Sequence, residues 1–414
     1  MSRPPNCRTV WIVTAGVLFA LMAGIPSAAN AELRRFLETA YRRHTDFEAS
    51  LETLRSFDRA ALSPEDRLSY DLFEWYLSDQ AFSRAVVMGE LRTSDVPYER
   101  WLHHHTTTSM TPPELFAILS DEVEKNRTKV DLLLADLGIE GATLAEKMAV
   151  VSRIGLGRTD ETGVSVVDEM QAYVEGAREA MRPYFGVYPS DPIVVTPVPG
   201  LLSAAGLRMG SEAQGRPNQV QILPGRDGVP YYLRLTIAHH EAFPGHYVQE
   251  SIQQELTDLP TFRVQWGFTA YTESWALYGE QLAWDVGRFE GRDPLHELGF
   301  FESKLWRSSK AMADVAVNGI GWSLSKTGAF LVGTLGVTET EAAHIVARMV
   351  ESPGASAASY AGYVCFMSFR DRMHAALGEE FRLIDFHRLV LEGGPMPMEI
   401  LERVIVDAFD ARES

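Results

Sequence analysis

The sequence predicts a mainly α protein with a minor β part around residues 184–232. Three observations carry that expectation. Apolar residues recur at helical spacing along most of the chain, as in Leu33, Phe36, Leu37 and Tyr41. Helix-start signals stand where that periodicity begins, at Ser63-Pro64-Glu65 and Thr111-Pro112-Pro113-Glu114. One window rich in Pro and Gly carries β-branched runs instead, Ile193-Val194-Val195 and Val220-Gln221-Ile222, which read as short strands and loops.

Taken in order, a helix is expected over 32–60, where Phe47, Leu51 and Leu54 extend the early pattern. A second starts at Pro64, with Ser63 as its N-cap, and runs through Leu68, Leu72, Trp75 and Leu77. Between about 88 and 112 the periodicity is lost. Trp101-Leu102-His103-His104-His105 lies there; adjacent side chains point in different directions, so these histidines read as polar residues near a cleft or surface. A helix should run from Pro112 to about 137, a short one should begin at Leu144, and another should span Asp168 to Arg182, ending at Pro183. Beyond 232 the chain is helical almost to its end, with helices expected over 264–288, 295–316, 322–333, 339–350, 356–377, 382–391 and 396–410. Gly336-Val337-Thr338-Glu339 and Gly393-Gly394-Pro395 break that series, and Thr338 is the N-cap after the first break. The expected organisation is a signal segment at 1–31, a helical N-terminal lobe at 32–185 and a lobe at 186–414 continuous with it.

At 414 residues the chain can bury a substantial core. Its 46% apolar and 23% charged content is that of an ordinary folded protein. A net charge of −18 argues against nucleic acid and anionic membrane surfaces as partners, since a phosphate backbone needs a basic face. Arg3 and Arg8 precede an uncharged apolar run from Val10 to Gly24, followed by Pro26 and the small-x-small triplet Ala29-Asn30-Ala31. That is the pattern of a cleaved export signal, since the run is shorter than the roughly 18–20 residues of a membrane span. The expected location is periplasmic or secreted, with no stable membrane span after cleavage. Cys7 leaves with the signal, so Cys365 remains as a single thiol without an internal disulfide partner. Any metal would then rest on histidine and carboxylate ligands.

The chemistry concentrates in Ala238-His239-His240-Glu241-Ala242-Phe243-Pro244-Gly245-His246-Tyr247-Val248-Gln249-Glu250 and in the acidic stretch Tyr271-Thr272-Glu273-Ser274-Trp275-Ala276-Leu277-Tyr278-Gly279-Glu280. A hydrolytic zinc site needs three protein ligands and one open position. The metal activates a water, and a neighbouring carboxylate takes its proton. The commonest layout, His-Glu-x-x-His on a helix, is absent: the position four after His240 is Pro244, and the next histidine is six residues on. On a regular helix that spacing leaves His240 and His246 about 120° apart. Pro244 removes a backbone donor, so a bulge or kink is expected, and a bulge absorbing two residues would bring the pair together. On an unbroken helix His239 and His246, seven apart, would share a face instead. Spacing alone leaves both pairings open.

His240-Glu241-Ala242-Phe243-Pro244-Gly245-His246 with Gln249 resembles the signature of the bacterial DUF885 family, which is similar to gluzincin metallopeptidases. Further pieces match in order: Glu273 to Glu280, Asp314 with Gly321-Trp322-Ser323, Ser359-Tyr360, and Phe386 to Leu391. The resemblance covers most of 220–410. It implies a gluzincin-like helical metallohydrolase holding one zinc ion, with His240 and His246 as ligands, Glu241 as general base and Glu273 as third ligand. It leaves Glu280 as an orienting partner of a histidine or as the ligand itself. Among the residues around this set, Tyr360 is the candidate oxyanion donor, Arg370 a weaker candidate for a substrate carboxylate, and His387 a packing or capping residue. By analogy, an edge strand beside the metal helix would line the substrate cleft. Two departures stand out. Asn318 occupies a position where members commonly carry histidine, and a segment usual between about Gln80 and Ser94 is missing.

The leading expectation is an exported zinc-dependent hydrolase, a metallopeptidase acting on a peptide or small amide. The alternative is a catalytically impaired relic acting as a binding module. Oligomeric state is not legible in the sequence.

Overall fold

A computed structural model describes residues 28–413, apart from 44–45, 163 and 226–227. Residues 1–27 of the expected signal, including Cys7, lie outside the described residues. The described chain is mainly α with a small three-stranded sheet inside the predicted 184–232 window.

The first helices build one end of the molecule. Helix α1 (Ala28–Arg43) and α2 (Phe47–Arg55) replace the single helix expected over 32–60. Asp46 is the reason for the restart: its carboxylate accepts the Ala49 N–H and caps α2. Helix α3 (Pro64–Val87) starts as predicted, with Ser63 Oγ accepting the Asp66 N–H. A turn through Gly89 (φ 72°) closes it, and Val87 (84%) and Met88 (64%) stand exposed there.

Helix α4 (Tyr98–Thr106) was not foreseen, because its apolar positions Trp101 and Leu102 are flanked by three histidines that break the pattern. Helix α5 (Pro112–Asp136) follows, its start closed by the Thr111 N–H donating to Glu114 Oε2. Helix α6 (Leu144–Thr162) is longer than expected, and α7 (Val166–Met181) lies where it was predicted.

The sheet comprises β1 (Ile193–Pro197), β2 (Ala205–Arg208) and β3 (Asn218–Ile222), ordered β1-β3-β2. β1 runs parallel to β3, with Ile193 opposite Asn218; β2 runs antiparallel to it, with Ala205 opposite Ile222. Gln171 of α7 closes the β1 edge, accepting the Val195 N–H and donating to the Ile193 carbonyl.

The rest is helical: α8 (Arg234–Glu241), α9 (His246–Glu255), α10 (Thr261–Gln265), α11 (Thr269–Asp285), α12 (Pro294–Val315), α13 (Leu324–Leu335), α14 (Glu339–Glu351), α15 (Ala358–Leu377), α16 (Leu383–Leu391) and α17 (Met398–Glu413). A π-helical turn, Ala316–Ile320, ends α12, and Thr338 caps α14 as predicted. The core centres on α11 and α12. α12 packs along α5, and α11 along α15. The second pair approaches closely because Gly362 of α15 has no side chain; a Cβ there would lie 2.0 Å from the Ala270 carbonyl. Ser274 Oγ donates to the Ser359 carbonyl across the same seam. Trp275, Tyr278, Phe366 and Phe386 bury their rings around it and hold α11 at a fixed rotation. That rotation decides where Glu273 and Glu280 point.

Candidate metal centre

The His240–His246 segment breaks its helix rather than bulging it. α8 ends at Glu241 and α9 restarts at His246, with Ala242-Phe243-Pro244-Gly245 between. Pro244 lacks the N–H that would continue α8. Gly245 closes the turn by donating its N–H to the His239 carbonyl at 3.0 Å. Only glycine fits: a Cβ at 245 would lie 1.8 Å from the His240 carbonyl oxygen. Trp275 of α11 donates Nε1–H to the Pro244 carbonyl at 2.9 Å and ties the turn to the helix that carries the acidic residues.

This break brings His240 and His246 together. Their rings stand edge to face, centroids 4.8 Å apart. Glu273 faces both, with Oε2 3.9 Å from His240 Nε2 and Oε1 3.7 Å from His246 Nε2. One ligand atom from each of His240, His246 and Glu273 lies within 4.8 Å of the other two, so this trio could hold a metal ion. His239 is not part of it. Its phase with His246 depended on an unbroken helix; its Nδ1 instead pairs with the Phe243 carbonyl at 2.7 Å, and the ring is fully buried.

Glu280 takes the orienting place. Its Oε1 lies 2.7 Å from His240 Nδ1 and its Oε2 accepts from Ser303 Oγ at 3.3 Å. With Nδ1 donating to that carboxylate, the lone pair of His240 is on Nε2, toward Glu273. The field suits ligation. Burial, and then the Arg307 charge, pushes His240 down to about 3. Burial and His240 push His246 down to about 4, so both imidazoles are neutral at neutral pH. Burial alone would raise Glu273, but the two imidazoles and Arg307 hold it below its ordinary value. Two neutral imidazoles, one ionised carboxylate and an oriented Nε2 fit a divalent cation of the zinc type. The Glu273 side chain is 42% exposed against 7% for His240, so the trio opens to solvent on the Glu273 side.

Glu241 is buried beside this group. Desolvation first, then the Glu273 carboxylate, pushes it up to about 8. Tyr360 is fully buried on α15. Its hydroxyl donates to Glu122 Oε2 at 2.8 Å and accepts from Asn126 Nδ2 at 3.1 Å. Arg370 pairs with Asp285 at 2.6 Å, and His387 packs as expected, stacked on Phe185 with both ring nitrogens bonded. Asn318 donates to Asp314 Oδ1 and to the Met349 carbonyl. Asp314 in turn accepts the Gly354 and Ser356 N–H groups and Tyr98 OH, so this corner anchors the turn into α15. Arg307 and Ser303 went unnoticed in the sequence. Their one local signal is a basic residue and a serine four apart on α12; the contact of Arg307 with His240 spans 67 residues.

A mainly helical chain with a His/His/Glu cluster across a broken helix is thus the class of protein that fold and site define. The chain belongs to the family described as bacterial protein of unknown function (DUF885), which matches residues 92–405. Among curated proteins none matches. Several solved chains match this one, two of them as follows. One is described as a putative lipoprotein from Colwellia psychrerythraea, with 22% identity and a TM-score of 0.68, covering 87% of this chain and 66% of that one. The other, described as a putative lipoprotein of unknown function from Shewanella oneidensis, has 16% identity and a TM-score of 0.61, covering 91% and 72%. The chain therefore spans just under two-thirds of the length of the first relative. No described helix is long and apolar enough to cross a membrane.

Proposed function

We propose that this protein is an exported zinc-dependent hydrolase, a metallopeptidase acting on a peptide or small amide. The observation that carries the reading is the convergence of His240, His246 and Glu273 within 4.8 Å, with Glu241 buried beside them. His240, His246 and Glu273 would hold the cation. Bound there, it would supply the Lewis acidity that activates a water and polarises a carbonyl. Glu241 takes the proton of the attacking water and returns it to the leaving amine; its raised proton affinity suits a base that is re-protonated in each cycle. A cation in the trio would draw that affinity back toward neutrality. Glu280 keeps the His240 ring in the ligating tautomer. Export is supported by the charged, apolar and small-residue pattern of 1–31, and two proteins sharing the fold are described as lipoproteins.

The test is metal content of the purified protein by mass spectrometry, followed by turnover of a peptide library. Near-stoichiometric zinc, lost in His240→Ala and kept in His239→Ala, is the expected result. No zinc after zinc is supplied would sink the reading and favour a binding module.

A further inference from the structure

Amide hydrolysis is accelerated by a donor that faces the carbonyl oxygen as negative charge develops on it, and the site described so far offers none beside the cation. The Tyr360 hydroxyl is engaged by Glu122 and Asn126. We infer that Arg307 supplies this group: its guanidinium stabilises the negative charge that develops on the substrate's carbonyl oxygen. The inference rests on the hydrolase reading above.

Four features of Arg307 carry it. First, Nη1 is pinned, donating to Ser303 Oγ at 2.6 Å and lying 3.7 Å from Glu280 Oε1, so the guanidinium plane is set from within α12. Second, the other arm reaches the trio itself, with Nη2 3.4 Å from His240 Nε2. Third, the side chain is 27% exposed while its neighbour Glu280 is 1%, so the head has an open side. Fourth, its charge acts on His240, Glu241, His246 and Glu273 alike.

A simple counter-ion for Glu280 would fork both arms onto that carboxylate. Arg307 does not; one arm goes to a serine and the other to an imidazole nitrogen. That nitrogen has one lone pair, which ligation requires, so a cation and Nη2 cannot share it. A cation held by Nε2 would leave Nη2 free while Nη1 stays on Ser303, and the free arm would border the trio. A remote substrate carboxylate would call for a cation farther from the ligand atoms. The reacting oxygen is the group that this position fits.

The chemistry balances without a proton from Arg307. The water oxygen bonds to the carbonyl carbon and its proton passes to Glu241. The π pair of the C=O bond moves to the oxygen, whose negative charge faces Nη2. The pair then returns, the C–N bond breaks, and the amine leaves with the Glu241 proton. A fixed charge aimed at the developing oxyanion requires no reorganisation during the reaction.

The test uses the zinc-loaded full chain with Arg307→Gln and Arg307→Lys. Inorganic phosphate, a small anion able to approach the centre, is titrated by calorimetry. Zinc content and melting temperature are read on each variant. The expected result is at least tenfold weaker phosphate binding in Arg307→Gln, partial recovery in Arg307→Lys, and zinc retained in both. On a turned-over peptide, kcat should fall about 10²–10³-fold with KM nearly unchanged. Phosphate binding and kcat equal to those of the unsubstituted protein would overturn the inference. So would zinc loss in both variants, which would make Arg307 a positioning residue, or a rise in KM alone. Failure of the unsubstituted protein to take up zinc is read separately and removes the hydrolase reading, with this inference.

Discussion

Two stretches of this chain carry three histidines each, and they end in opposite states. His103, His104 and His105 are consecutive on the unbroken helix α4, where successive side chains diverge by about 100°. His103 faces Glu399 at 3.4 Å and His104 pairs with Asp79. His105 lies over Trp101, is pushed down to about 4 by burial and then His104, and keeps an unpaired Nε2. His104 and His105 also meet edge to face, with centroids 4.6 Å apart, yet among the described residues the His/Cys/Asp/Glu group able to hold a metal is the other one. His239, His240 and His246 are spread over eight residues, yet two of them meet edge to face because α8 stops at Glu241 and α9 restarts at His246. Capacity for a metal follows from where the backbone breaks and what packs behind it, not from how many histidines a stretch contains.

That contrast can be broken most severely at Gly245. Gly245→Val puts side-chain atoms against the His239 and His240 carbonyls, so the turn cannot close; zinc uptake should vanish and the melting temperature should fall by several degrees. A Gly245→Val protein that still binds stoichiometric zinc would show that the turn is not what pairs the rings. His246→Ala, which leaves the backbone intact, should abolish metal binding in the same assay. Glu241→Gln should keep the metal and lower turnover by about 10²–10⁴-fold, and an unchanged rate would remove Glu241 as the base. Smaller still is Glu280→Gln, which weakens the hold on the His240 ring; zinc affinity, read by chelator competition, should drop by about 10–100-fold. The smallest effect on metal belongs to the other stretch. His104→Ala leaves Asp79 buried without its partner and should cost roughly 1–3 kcal/mol of stability in denaturant titration, with zinc content unchanged. Zinc loss there would make the two stretches one system.

Much of the fold was legible because helices announce themselves locally. Ser63, Thr111 and Thr338 lie at helix starts where capping chemistry placed them, and the β-branched runs at 193–195 and 220–222 became β1 and β3. The failures share a cause. Asp46 split a helix whose apolar spacing read straight through, and α4 escaped notice because its histidines mask the apolar face. The candidate trio was legible through a motif resemblance, whereas spacing alone left His239 and His240 equal.

By itself the sequence determined what is local: where helices start, that Pro244 and Gly245 interrupt the one carrying His240, and that histidines and carboxylates of the ligating type stand on either side. The tertiary structure decided the rest. It chose His240 over His239 by breaking the helix, and set Glu273 toward the rings and Glu280 behind one of them through the packing of α11 on α15. It also brought Arg307 across 67 residues to His240 while drawing Tyr360 to Glu122. The physical reason is that a ligand set is defined by the relative rotation of packed helices. That rotation is fixed by buried contacts such as Gly362 on Ala270 and Trp275 on Pro244, which no local pattern encodes.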